Sequence, residues 1–264
     1  MQIKSYAKIN LTLDILGKRS DGYHEMDTIL QQISLHDIIS LENMESEIKI
    51  ECDAKELENS SNLAFRAAEI MKEVFGISKG VKISISKKIP VGAGLSGGSS
   101  NAAAVMKGLN KLWNIELKEE KLAELGKSLG MDVPFHIYGG TCRGKERGDV
   151  IERLKPLEKY YLAIAYPGFG ISTKEAYGSV VIGKNMSSEK FAKNYNIEFM
   201  HNDFEKSIFK KYPGLIDIKK ILGPHSLLSG SGSCVFGLFS LKNEAISRLK
   251  LIEGKCKAYL AETI

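Results

Sequence analysis

Apolar residues alternate without a break over residues 7–15 (Ala7, Ile9, Leu11, Leu13, Ile15), which predicts a half-buried strand with Lys8, Asn10, Thr12 and Asp14 on its other face. A polar strand face ordinarily meets water. Strand patterns recur at 36–41, 47–52 and 81–86. A helix is expected over 59–75, capped by Ser60 or Ser61, with Leu63, Ala67, Ile70 and Val74 as its apolar stripe and Gly76 at its end. A second helix shows Ala102, Val105, Met106, Leu109, Leu112 and Trp113 on one side, a spacing that reads as core. A third spans 118–129 with Leu122, Leu125 and Leu129 inward, and 142–154 reads as one charged edge strand.

A second unit is expected to begin near Lys155-Pro156, dividing the chain into 1–154 and 155–264. Its elements are a strand at 161–166, a helix announced by the capping-box spacing of Ser172 and Glu175, and a polar loop or short helix at 183–195. Helices starting at Asn202-Asp203 and Pro213-Gly214 follow. A glycine turn, SGSGS, then separates Leu228 from Cys234, before a helix at 243–252 and a strand at 257–261. The β-α-α-β-β-α-β order predicts an antiparallel α+β layer.

With 264 residues, 43% of them hydrophobic, the chain can bury a substantial core. Its net charge of +5 is spread along the sequence, which suits polyanionic small molecules better than a nucleic-acid groove. No apolar run reaches the roughly 18 residues of a membrane span, and MQIKSYAKIN lacks the apolar core of a leader. Cys52, Cys142, Cys234 and Cys256 are far apart, with no C-x-x-C, so reduced core thiols in a cytoplasmic protein are expected.

Against this background one stretch stands out, PVGAGLSGGSSNAAA at 90–104. Its glycines let successive amides converge on an anion, and the helix that follows presents a positive dipole end, with Ser99 or Ser100 expected as its cap. Gly92, Gly94 and Gly97 formally satisfy G-x-G-x-x-G, and Glu116 lies near the distance of a ribose-binding acid. However, residues 87–90 separate the preceding strand from the first glycine, and Glu116 follows only one helix. A Walker A loop fails for want of Lys-Ser or Lys-Thr, and the protein-kinase loop for want of V-A-I-K. The reading is a phosphate cradle, with a plain Gly/Ser surface turn as the alternative. Two further features remain open. Tyr23-His24, after the Asp21-Gly22 turn, suits stacking on a flat heterocycle or packing at a hairpin end. Asp132, after Gly130, can cap the next turn or reach into a site. The SGSGS turn likewise reads as a hairpin or as a closure over an anion.

Three separated stretches, AKINLTL, PVGAGLSGGSSNAAA and LSGSGSCVFGLF, together resemble the GHMP small-molecule kinases, which include homoserine and mevalonate kinases. RSDGYHEMDT and GMDVPFHIYGG narrow the resemblance to members whose acceptor is a cytidine-diphosphate sugar alcohol. It implies a two-domain α+β fold, with a ribosomal-S5-like nucleotide-binding domain (1–154) and a ferredoxin-like substrate domain (155–264). The implied activity is transfer of the γ-phosphoryl group of ATP to an alcohol, chemistry that ordinarily requires Mg²⁺; the charge distribution and the lack of an apolar span predict no nucleic-acid or membrane partner. By motif position, Lys8 and Asp132 are the catalytic pair. Asn10 and Thr173 contact substrate, and Tyr23 and His24 hold the cytosine. Pro90, Gly92, Gly94, Leu95, Ser96, Gly97, Gly98, Ser99 and Ser100 cradle ATP, with Asn62 and Lys87 near adenine. The family loop often has glycine where Ser96 stands, and Ser99 or Ser100 is the candidate oxygen ligand of the metal. The alternatives are another kinase of the family, of homoserine or mevalonate type, a non-catalytic nucleotide-binding regulator, and an NAD-binding enzyme.

Overall fold

The computed structural model describes residues 1–183 and 185–264, so Lys184 of the polar 183–195 segment lies outside the described residues. Two long strands open the chain, β1 (Gln2–Lys18) and β2 (His24–Met44). The Asp21-Gly22 turn joins them, with Gly22 at φ +85°. The chain divides into two compact units that interleave in sequence, residues 1–7, 36–89 and 96–139 in one, and 8–35, 90–95 and 140–264 in the other. β1 and β2 each give residues to both units.

In the first unit, β4 (Gly80–Ser86) pairs antiparallel with the second half of β2 and parallel with β3 (Ile48–Cys52). Ile39, Leu41, Val81 and Ile83 of these strands pack in one core with helices α1 (Leu63–Val74), α2 (Gly97–Leu112), α3 (Glu119–Gly126) and α4 (Val133–Tyr138). Helix α2 comes so close to the strands that a Cβ on Gly108 would lie 2.3 Å from the Leu41 side chain. The cap of α1 is Asn62, whose side chain accepts from the Ala64 amide, and not Ser60 or Ser61. Consequently the buried face of α1 is Ala64, Ala67, Ala68 and Met71, and Val74 is exposed. Helix α3 ends at Gly126, short of the expected Leu129. Neither Ser99 nor Ser100 caps α2. Both lie inside it, and the capping position belongs to Ser96, in left-handed backbone at φ 58° without a side-chain cap bond. Asp37, fully buried, accepts hydrogen bonds from the Lys88 and Ile89 amides, from Asn101 Nδ2 and from the Lys87 ammonium.

In the second unit the expected 142–154 strand is a hairpin, β5 (Thr141–Glu146) and β6 (Val150–Arg153), turned at Gly148 with φ +92°. β5 also pairs with the first half of β2. Next come β7 (Tyr161–Tyr166), α5 (Thr173–Ser179), α6 (Ser187–Asn194), the two-residue β8 (His201–Asn202) and α7 (Glu205–Lys211). Asn202 is thus a strand residue, and the helix expected from it starts three positions later. The chain ends with α8 (Gly214–Leu222), β9 (Ser226–Leu228), β10 (Val235–Phe239), α9 (Lys242–Ile252) and β11 (Lys257–Glu262). Strands in the order β11-β7-β10-β9 form an antiparallel sheet, with Ala163, Ala165 and Val235 in a core shared with Leu215, Leu222, Ala245 and Ile252 from α8 and α9.

β8 lies parallel to β1 at Thr12 and Leu13, and Ser188 at the start of α6 bonds Asp14 and Thr12. The face of β1 expected to meet water is buried: Lys8, Asn10, Thr12 and Asp14 are all at most 4% exposed, the last two beneath these contacts. The four cysteines are free thiols, and burial pushes the Cys234 thiol far up. Among the described residues no helix is long and apolar enough to cross a membrane.

Asp37→Ala strands three N–H donors, two of them buried, and a cation, and is expected to lower unfolding stability by about 3–5 kcal/mol in urea titrations. Ser96→Gly removes a side chain from left-handed backbone. It is expected to raise stability by about 0.5–1 kcal/mol in the same assay, since the relief exceeds the added chain entropy.

Candidate active site

Residues 90–95 belong to the second unit, where the late glycine turn holds them from one side. Ser229 Oγ donates to Gly94 O at 2.9 Å, and the Cys234 and Ile171 amides donate to Ala93 O and Gly92 O. At Gly94, φ +76°, a Cβ would fall 1.9 Å from Ser229 O, so only glycine permits this approach. The SGSGS segment is therefore both a hairpin turn, between β9 and β10, and a support for the first glycine segment.

Lys8 lies against the same segment. Its amide donates to Leu95 O at 3.2 Å, and its ammonium donates to Gly94 O at 3.3 Å and to Asn10 Oδ1 at 2.6 Å. Asn10 donates in turn to Thr28 Oγ1, whose hydroxyl donates to Thr12 O. Gly230, at φ +54°, brings its Cα close enough that a Cβ would lie 3.2 Å from Lys8 Nζ. Three sequence motifs therefore meet at one buried cation. Such an ammonium is a fixed positive charge with little water to screen it.

In the first unit, the earliest amide bond within α2 runs from Ser100 N to Ser96 O. The amides of Gly97, Gly98 and Ser99 lie outside the helical ladder, and the Ser96 hydroxyl is buried without a hydrogen-bond partner. These are donors suited to an anion at a helix N-terminus. Ser100 is buried and donates to Tyr6 O, with Ser5 Oγ 2.7 Å away, whereas Ser99 is half-buried. Lys87 is bound by Asp37 and Asn101, and Asn62 by the start of α1 and by Leu57 O. Asp132 holds the position before α4 without capping it by its side chain.

The second unit also carries the three remaining residues. Tyr23 is half exposed, with the Arg147 guanidinium 5.4 Å from its ring centroid. Arg147 in turn pairs with the buried Asp149. His24 leans on Tyr177, ring centroids 5.0 Å apart, and burial, with Lys18 assisting, lowers its pKa below the ordinary histidine value. Thr173, exposed, opens α5 after its Ser172 cap. Arg147, Tyr177 and Asp37 were not among the expected site residues. Asp37 had a readable signal, since it occupies the inward register of Leu35, Ile39 and Leu41.

Known proteins match this chain in sequence and fold. The sequence profile of the GHMP kinases N-terminal domain covers residues 62–140, and that of the GHMP kinases C-terminal region covers 190–251. The chain is 40% identical to a 4-diphosphocytidyl-2-C-methyl-D-erythritol kinase of Thermodesulfovibrio yellowstonii, over 95% of this chain and 94% of that one. A crystal structure of 4-(cytidine 5'-diphospho)-2C-methyl-D-erythritol kinase superposes with a TM-score of 0.86 at 30% identity, covering 100% of this chain and 99% of the other. The Methanococcus jannaschii mevalonate kinase, at 20% identity, shares the fold with a TM-score of 0.73 over 100% of this chain and 98% of its own. The chain belongs to the GHMP kinase family.

Proposed function

We propose that the chain transfers the γ-phosphoryl group of ATP to the 2-hydroxyl of 4-(cytidine 5'-diphospho)-2-C-methyl-D-erythritol, a step of isoprenoid precursor synthesis. The observation that carries the reading is the buried Lys8 ammonium set against Gly94 of the cradle and supported by the late glycine turn. Relatives of that activity, about 40% identical over nearly the whole chain, support the choice of acceptor. The matched segments at 62–140 and 190–251 fit a nucleotide-binding part within 1–154 and a substrate part within 155–264.

In this reading Asp132 takes the proton of the 2-hydroxyl as its oxygen bonds to the γ-phosphorus and the bond to the ADP oxygen breaks. Lys8 offsets negative charge on the phosphoryl oxygens. The glycine amides, the free Ser96 hydroxyl and the N-terminus of α2 hold the phosphates, and Asn62 and Lys87 flank the adenine. Of the two candidate serines, Ser99 would offer Mg²⁺ an oxygen, because Ser100 is committed within the protein. Mg²⁺ bound to the β- and γ-phosphates would neutralise their charge. Asn10 and Thr173 contact the polyol, while Tyr23 stacks on the cytosine and His24, kept neutral by burial, bonds its edge.

Asp132→Ala is expected to lower kcat by about a hundred- to ten-thousand-fold while leaving ATP affinity, read by calorimetry, nearly unchanged. Turnover close to wild type would remove Asp132 from the mechanism. Tyr23→Ala is expected to raise KM for the cytidyl acceptor about tenfold, the loss of roughly one stacking contact, with KM for ATP held. An acceptor panel with and without the cytidine diphosphate handle distinguishes this activity from mevalonate or homoserine kinase chemistry.

A further inference from the structure

The second unit contains a cluster that the kinase reading does not use. Asp14 of β1, His201 of β8 and Asp203 just beyond it each offer a ligand atom, all within 4.8 Å of one another. The carboxyl groups are buried, Asp14 at 1% and Asp203 at 7% exposure, and His201 is partly open to solvent. Among the described residues, neither carboxyl group pairs with a lysine or arginine. Asp14 Oδ2 accepts from the Ser188 amide, and Asp203 Oδ2 accepts from the Ile15 amide. Asp14 Oδ1, equally buried, has no hydrogen-bond partner.

The imidazole joins the same cluster. His201 Nε2 lies 2.7 Å from Asp203 Oδ1, which also accepts from Asn185 Nδ2 at 3.0 Å. A cation bound by Nε2 and by carboxylate oxygens would use the orphaned oxygen of Asp14 and take the place of the imidazole proton. Ligand bonds of about 2.0–2.2 Å place donor atoms on one ion roughly 3–4 Å apart, within the observed spacing. One imidazole with two carboxylates favours a transition metal over Mg²⁺, which prefers oxygen throughout.

We propose that Asp14, His201 and Asp203 form a Zn²⁺-type structural site that ties β8 to β1. A two-residue strand has little pairing of its own, so a shared ion is an effective anchor. The proposal stands apart from the kinase reading.

The test is equilibrium dialysis of the full, chelator-stripped chain against Zn²⁺ alone, with elemental analysis. The expected result is one ion per chain, with affinity falling at least about tenfold in His201→Gln and in Asp14→Asn. Thermal unfolding of the wild type should shift upward with Zn²⁺, and that of His201→Gln should not. X-ray absorption of the wild-type complex should show only nitrogen and oxygen ligands, a readout that holds even if Asp14→Asn fails to fold. Absence of stoichiometric binding, equal binding by His201→Gln, or sulfur in the ligand shell would each overturn the assignment.

Discussion

A strand buried on both faces has to find partners for the polar side chains it carries, and β1 is built around that constraint, with Asp14 Oδ1 the exception. Its inward row of Lys8, Asn10, Thr12 and Asp14 is shut away from water, so each member takes partners from other parts of the chain. Lys8 turns to Asn10 and the glycine segment, Asn10 to Thr28, Thr12 to Ser188, and Asp14 to the Ser188 amide. Because an unpartnered buried polar group costs about 1–3 kcal/mol, these partners fix where the chain can go. The result is one line of polar groups leading from the glycine segment, at Gly94, to the foot of β8.

The alternation at 7–15 made β1 legible, but not its burial. Period two records which residues share a face, and it does not record what covers that face. The cover over Thr12 and Asp14 comes from Ser188, more than 170 positions away at the start of helix α6, and that over Lys8 comes from the glycine segments at 94 and 230. Local propensity also misled at Ser99, because two serines before an alanine run resemble a cap. The turn needed its left-handed residue earlier, at Ser96, which moved the helix start to Gly97. Glycine-rich signals were more reliable, since positive φ and close approach are demands that few other residues meet. The glycines at 94 and 230 illustrate this: separated by more than a hundred positions, both lie beside Lys8.

Asp37 organises the first unit much as Lys8 organises the cradle. It gathers the residues just before the glycine stretch, Lys87 to Ile89, and the second turn of α2 through Asn101. One carboxyl group therefore ties residues 87–89 to the start of α2 within the first unit.

Cys234 sits at the end of the late glycine turn, its amide bonded to Ala93 O and its sulfur sealed in the interior. Burial keeps the thiol protonated, and only the thiolate is a competent nucleophile. Alkylating reagents and peroxide thus reach this sulfur only when the interior around it opens. Its rate of modification is a built-in clock for that opening, set by the protein's own breathing and not by the reagent's chemistry.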